Sequence, residues 1–435
     1  MRVAFYTLGC KVNQFETHSL CEMFREKGAK IVSFDEKADL YVVNTCAVTS
    51  KATYQSRQIM RRIRRNNPTA RIIATGCYAQ VASQEILDAL SWDVCLVGND
   101  QKHLLPSLAL NKENCLEFYV GDVNKATQIA PFTGRKPMGR TRAYLKIQDG
   151  CNAFCSYCIV PYARGRSRSL PKEMIHEQLR LYEQDGIKEV VLTGIHVGMY
   201  GKDLEDGVDL LDLLKEISRT YPYIRFRLSS IEPNEISHEM LLWAKEANNF
   251  AHHWHIPLQS GSDKILSAMN RHYNAELYKE LIMKTRSLFP DAAIGADVLL
   301  GFPGEKEIDF KKTIDLIDSL PLTYVHAFPY SKRPFTQASG MPEIATKAEK
   351  SQRVKAVRAL GEEKKLRFYS SLTGTTHECL VEKRDKATGL MKGTTSNYIP
   401  VHILNSENFE NLENQMVNIE ISHVKKNKVF GLIKL

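Results

Sequence analysis

Over the first 100 or so residues, short apolar runs alternate with amphipathic stretches. Arg2–Thr7, Leu40–Asn44, Arg71–Thr75 and Val94–Val97 have strand length and are rich in β-branched side chains. Asn13–Lys27, Thr49–Asn66 and Ser83–Leu90 between them carry helical spacing. Asn13 is a candidate cap, with Glu16 three positions on and Gly28 past the end. Strands separated by helices of this length predict a doubly wound parallel sheet. After an aperiodic stretch, Asn111–Arg142, the alternation resumes. Tyr144–Gln148, Glu189–Thr193, Arg225–Ser229, Trp254–Leu258, Ile294–Leu300 and Tyr324–Pro329 read as six strands with helices between them. Six such units predict an open, partial (β/α) barrel, since a closed one wants eight. Thr346 and Glu349 form a capping box before a charged helix reaching Tyr369. Beyond Gly374 the pattern becomes short β-rich runs at Glu378–Lys383, Asn397–Leu404, Val417–His423 and Val429–Ile433, as in a small antiparallel barrel. The expected division is 1–112, a linker over 113–142, a core over 143–369 and a terminal unit over 370–435.

Length and composition agree with several domains. The chain has 435 residues, 43% of them hydrophobic and 25% charged. It offers no apolar run of about 18 residues, the length a spanning helix needs. The opening MRVAFYTLGC enters a strand at once, without a separate apolar leader. A cytoplasmic location is expected, and there ten cysteines point to metal or catalysis rather than to disulfides. The net charge is +9. Nine Lys/Arg and a single acid, Asp149, lie between Arg135 and Lys172, which suits a polyanion partner. Five arginines between Arg57 and Arg65 read instead as a solvated face.

The cysteines fall into two sets. Cys151, Cys155 and Cys158 follow the first barrel strand as C-x3-C-x2-C. Three thiolates so placed can hold three corners of a 4Fe-4S cube and leave one iron open. A zinc site would need a fourth ligand, and neither Asp149 nor His176 convinces. Cys10, Cys46 and Cys77 each stand just past a successive strand of the first sheet. Parallel strands bring such positions to one edge, where ligands bind. Gly9 and Gly76 would allow the tight turns. A second cube or three small buried hydrophobes would both fit that placement. Cys21, Cys95, Cys115 and Cys379 read as structural.

These segments together resemble one family. DGCNAFCSYCIVPYARGRSRS is similar to the radical S-adenosylmethionine (SAM) signature of the methylthiotransferases. LGCKVNQFET, VVNTCAVT and ATGCYAQ resemble that family's N-terminal cluster segments, and TGLMKGTTSNYIPVHI its RNA-binding TRAM domain. Lys11-Val12, where other members have Gln-Met, resembles the bacterial branch acting on N6-threonylcarbamoyladenosine of tRNA. Sister branches act on N6-isopentenyladenosine or on an aspartate of a ribosomal protein. The resemblance implies two 4Fe-4S clusters, on Cys10/Cys46/Cys77 and on Cys151/Cys155/Cys158. It implies SAM cleaved to a 5′-deoxyadenosyl radical, and a methylthio group moved to C2 of adenine. It further implies a tRNA substrate, a reductant, a sulfur donor, no membrane and a monomer. Tyr157, Gly194 beside Thr193, Ser230, Glu232, Gln259 beside Ser260, and Asp297 are the implied SAM contacts. Gly301, Gly304 and Arg271 are secondary candidates, with turn, cap or ion-pair roles as alternatives. The histidines 252, 253 and 255 partly alternate, as ligands would, although such residues are more often satisfied core or surface groups. Arg135–Lys172, Lys392, Asn397 and Tyr398 are candidate RNA contacts. Tyr398 fits a base stack or a barrel core equally.

Overall fold

The computed structural model describes residues 1–90, 92–110, 119–130, 132 and 141–434. Half of the expected linker, Cys115 included, lies outside them. The first sheet holds β1 (Arg2–Thr7), β2 (Lys30–Val32), β3 (Leu40–Thr45), β4 (Arg71–Gly76) and β5 (Cys95–Val97) in the order 2-1-3-4-5. All its pairings are parallel. Every residue of β3 is buried, as a central strand covered on both faces requires. The three-residue edge strand β2 was not foreseen, because it is too short to show alternation.

The first helix, Lys11–Glu26, starts two residues earlier than its sequence suggests, with Cys10 at the N-cap position. Asn13 is not the cap. It is buried, and its Nδ2 donates to the Leu8 and Thr45 carbonyls at 2.7 and 3.1 Å. Its Oδ1, the atom a cap would use, accepts instead from Arg164 at 2.6 Å.

The central region contains β6 (Arg142–Lys146), a two-residue ribbon of β7 (Gln148–Asp149) and β8 (Arg168–Ser169), then β9 (Glu189–Thr193), β10 (Arg225–Leu228), β11 (His253–His255), β12 (Ala293–Leu300) and β13 (Tyr324–Pro329). Two parallel three-stranded sheets, 10-9-6 and 11-12-13, are joined where Phe226 pairs with Phe250. The result is an open six-stranded arc. One apolar cluster runs from Val3 of the first sheet and Phe15 and Phe24 of the first helix into Leu145, Leu192 and Ile294 of the arc, so the two units share a core. The 25-residue helix Lys347–Ser371, capped by Thr346 and Glu349, borders β13.

The chain ends in a closed barrel of β14 (Thr376–Arg384), β15 (Met391–Thr395), β16 (Pro400–Ile403), β17 (Met416–Lys425) and β18 (Lys428–Lys434), ordered 14-15-16-18-17. Four seams are antiparallel, while β16 and β18 run parallel. The sequence hides β15, MKGTT, which has a single large apolar residue. Among the described residues no helix is long and apolar enough to cross a membrane.

Candidate active site

Cys10, Cys46 and Cys77 lie past the carboxyl ends of β1, β3 and β4, three adjacent strands. Left-handed turns deliver two of them, at Gly9 (φ +102°) and Gly76 (φ +92°). A Cβ on Gly9 would lie 3.1 Å from the Cys46 sulfur, and one on Gly76 would strike the Thr45 carbonyl. Only glycine lets these loops approach so closely. Burial, reinforced by Cys77 nearby, pushes the Cys46 thiol up to about 12. Asn99 Nδ2 faces the Cys77 sulfur at 3.9 Å.

Gly150 (φ +72°) turns the chain after β7 into the second set. The Cys158 amide donates to the Cys155 carbonyl at 2.9 Å. N–H donors surround these sulfurs. Arg271 Nη1 donates to Cys155 at 3.3 Å and the Ala153 amide to Cys151 at 3.4 Å, while His196 Nδ1 lies 3.4 Å from Cys151. His196 is held from its other side by Glu235 at 2.6 Å. Free thiols ringed by N–H donors fit thiolate-bound iron–sulfur clusters, whose charge such bonds stabilise. Among the described residues no three His, Cys, Asp or Glu side chains form a site for a metal ion.

A buried charge network ties the two cysteine sets together. Glu16, six residues after Cys10, accepts from Lys102 at 2.5 Å, Lys146 at 3.0 Å and Arg164 at 2.9 Å. Asp149, two residues before Cys151, accepts from Lys146 and Arg164, both at 2.9 Å. Arg164 Nη2 also donates to Asn13 at 2.6 Å. Burial alone would raise the Glu16 carboxyl; Arg164, then Lys102 and Lys146, outweigh it and hold it well below the usual range. Arg164, Lys146 and Arg168 are thus interior groups, not RNA contacts as their run suggested. Of the described cations in that run, Arg166 alone is exposed.

The expected SAM contacts divide between two places. Glu232 lines a cavity of about 550 Å³ with Cys155, His196 and Arg271, and pairs with Arg271. Gly194 lies beside it, against Gln148, whose Oε1 accepts from the Ile195 and His196 amides at 3.0 and 2.8 Å. Tyr157 packs edge-on to Phe302 at 6.5 Å, on the β12–β13 side. Gln259 (φ +62°) donates its amide to the Asp297 carbonyl, and Asp297 pairs with His255 at 3.1 Å. Ser230 is exposed. Ser260 is buried against Thr313 at 3.4 Å, and the Gly301 amide donates to Glu305. These two serve the loops around them. His196 and Glu235 were missed; the TGIH sequence after β9 was the available signal.

The remaining candidates have partners within the protein. His253 and His255 both share hydrogen bonds with Tyr324, at 2.7 and 3.0 Å, so they belong to a packed floor and not to a metal. Tyr398 stacks on His253 with centroids 4.2 Å apart and meets Arg227 and Arg142, which leaves it no free face for a base. Asn397 donates to the Asp291 carbonyl at 2.7 Å and Lys392 pairs with Asp385. Lys11 is half-buried, and burial together with Arg227 and Arg142 pulls its ammonium down to about 8.

An open arc of parallel strands with C-x3-C-x2-C past its first strand defines a radical SAM protein, and the Radical SAM superfamily model matches residues 145–317. The model described as "Uncharacterized protein family UPF0004" matches residues 2–98. The threonylcarbamoyladenosine tRNA methylthiotransferase MtaB of Aquifex aeolicus is 39% identical, over 92% of this chain and 96% of that protein. Its Bacillus subtilis counterpart is 37% identical over 92% and 89%. A tRNA-2-methylthio-N(6)-dimethylallyladenosine synthase of a Thermoanaerobacter is 33% identical over 96% and 90%. The chain belongs to the tRNA methylthiotransferase family. Among solved structures, the radical SAM methyltransferase TsrM of Kitasatospora setae shares the fold with a TM-score of 0.58 at 15% identity, covering 78% of this chain and 77% of that one.

Proposed function

We propose that this protein methylthiolates C2 of N6-threonylcarbamoyladenosine at position 37 of tRNA. Support comes above all from the convergence of Cys10, Cys46 and Cys77 at one sheet edge, tied through Glu16 and Arg164 to the Cys151/Cys155/Cys158 loop. Cys10, Cys46 and Cys77 would hold one 4Fe-4S cluster, and Cys151, Cys155 and Cys158 the other. When bound, the clusters and SAM supply the electron, the radical and the sulfur that the side chains cannot. The protein's own part is placement. Arg271 and His196 direct N–H donors at the second set, Glu232 lines the cavity where SAM would lie, and Gly194 stands two residues before His196 of its wall. Tyr157, Gln259 and Asp297 border the opposite side of the arc, and Ser230 the rim. The C-terminal barrel is read as the TRAM domain. A monomer working in the cytosol with a separate reductant and sulfur donor completes the reading.

Anaerobic reconstitution should load about eight irons, two cubes' worth. With reductant, SAM and tRNA carrying the threonylcarbamoyl group, nucleoside mass spectrometry should detect the 2-methylthio product. Replacing Cys10, Cys46 and Cys77 by alanine should keep release of 5′-deoxyadenosine and abolish that product. Absence of 5′-deoxyadenosine from the intact protein would overturn the proposal.

A further inference from the structure

An aromatic step stands at the rim between the two cysteine sets. Phe154, next to Cys155, meets Tyr162 edge-on with centroids 5.9 Å apart. Tyr162 in turn meets Phe335 at 6.0 Å with their planes 35° apart. Phe335 comes from the turn after β13, and that turn is fastened to the first sheet's side. Ser331 Oγ accepts from the Ser50 amide at 3.0 Å, and Arg333 Nη1 donates to the Ala47 carbonyl, next to Cys46, at 3.3 Å.

Phe335 is held against two preferences. The residue is 63% exposed, and its φ of +66° lies in the left-handed region that a bulky side chain avoids. Such strain concentrates where a ligand is gripped. Burial of the ring does not offset it.

The segments that meet here carry cations and no carboxylate: none occurs from Cys46 to Gln84, from Gly150 to Lys172 or from Ser319 to Pro342. Glu85, just beyond the first of them, is paired with Arg57. Lys51, Arg166 and Lys332 are exposed there and make no ion pair among the described residues. Arg166 lies over the Phe154 ring at 4.7 Å. Exposed aromatic faces flanked by unpaired cations suit single-stranded nucleic acid, whose bases stack while its phosphates are neutralised.

We propose that Phe335, backed by Tyr162, stacks on the unpaired nucleobase beside the nucleotide that enters the site, with Lys51, Arg166 and Lys332 taking the adjoining phosphates. The proposal rests on the tRNA reading and adds to it how a neighbour of the target is gripped. The test uses the full chain and an anticodon stem-loop RNA with 2-aminopurine on either side of the target adenosine. Wild-type protein and Phe335→Trp should bind comparably and quench the probe at one of the two positions. Phe335→Ala should bind on the order of tenfold more weakly, the loss of one stack, and should not quench. Thermal melting of each variant checks that it is folded. If Phe335→Ala binds and quenches like the wild type, the stacking step is wrong while the tRNA reading stands. If the wild type does not bind the stem-loop, both fall.

Discussion

Two buried charge clusters join the three parts of this chain, and they are built on different plans. Near the cysteines, Glu16 and Asp149 are shared among Lys102, Lys146 and Arg164, so charge answers charge across the join. At the floor of the arc a single carboxylate, Glu189, holds Arg225 and Arg227 within the arc itself. Those arginines then cross to the C-terminal barrel by donating to backbone carbonyls of Thr394, Thr395 and Ser396 at 3.0, 3.0 and 2.9 Å. Tyr398 fills the space above them. The first join depends on ionised side chains from both partners. The second takes mainly backbone carbonyls from its partner, with two carboxylates added at its more exposed edge, Glu378 on Arg225 at 3.2 Å and Glu382 on Arg142 at 3.1 Å. A join of the first kind fixes one geometry and fails when a charge is lost; the second tolerates that loss better.

The largest effect should come from Glu16→Gln, which leaves Lys102 without its carboxylate and weakens the hold on Lys146 and Arg164. Breaking a buried network in this way costs about 3–5 kcal/mol. Denaturant unfolding of the iron-free protein measures it. Glu189→Gln should cost less, about 1.5–3 kcal/mol, because Arg225 and Arg227 keep their carbonyl acceptors. Equal losses in the two variants would erase the distinction. The smallest effect is expected from mild acid. Burial would raise the Glu189 carboxyl, but Arg227 and Arg225 hold it well below its ordinary 4.5, and Glu16 is held down likewise. Carboxyls held low contribute stability that is fully present above their unfolded values and lost as pH falls toward the folded ones. Unfolding midpoints should therefore stay level from pH 7 to about 5 and decline only below about 4.5. A fall already at pH 6 would mean that these groups are not held charged.

The strands, the open arc and the six cysteines were legible because each rests on local order: an apolar run, a turn, a cysteine just past it. The joins were not. Glu16 and Arg164 are 148 positions apart, and nothing near either names the other. The basic run around the second cysteine set looked like a surface for phosphates because sequence shows charge without showing what faces it. Folding turns Arg164, Arg168 and Lys146 inward, and Arg166 outward. Asn13 misled for a related reason: the oxygen that could have capped the helix is taken by Arg164, 151 positions on. Strands β2 and β15 stayed hidden because barrel closure and edge pairing, not side-chain alternation, make them strands.

The placing of Cys10, Cys46 and Cys77 on neighbouring strands has one more consequence. Adjacent strands keep a separation of roughly 4.7–4.9 Å, set by amide-to-carbonyl bonds that every residue type can make. The main chain thus works as a ruler for the three sulfurs. Side chains along β1, β3 and β4 can change while the graduations of that ruler stay put.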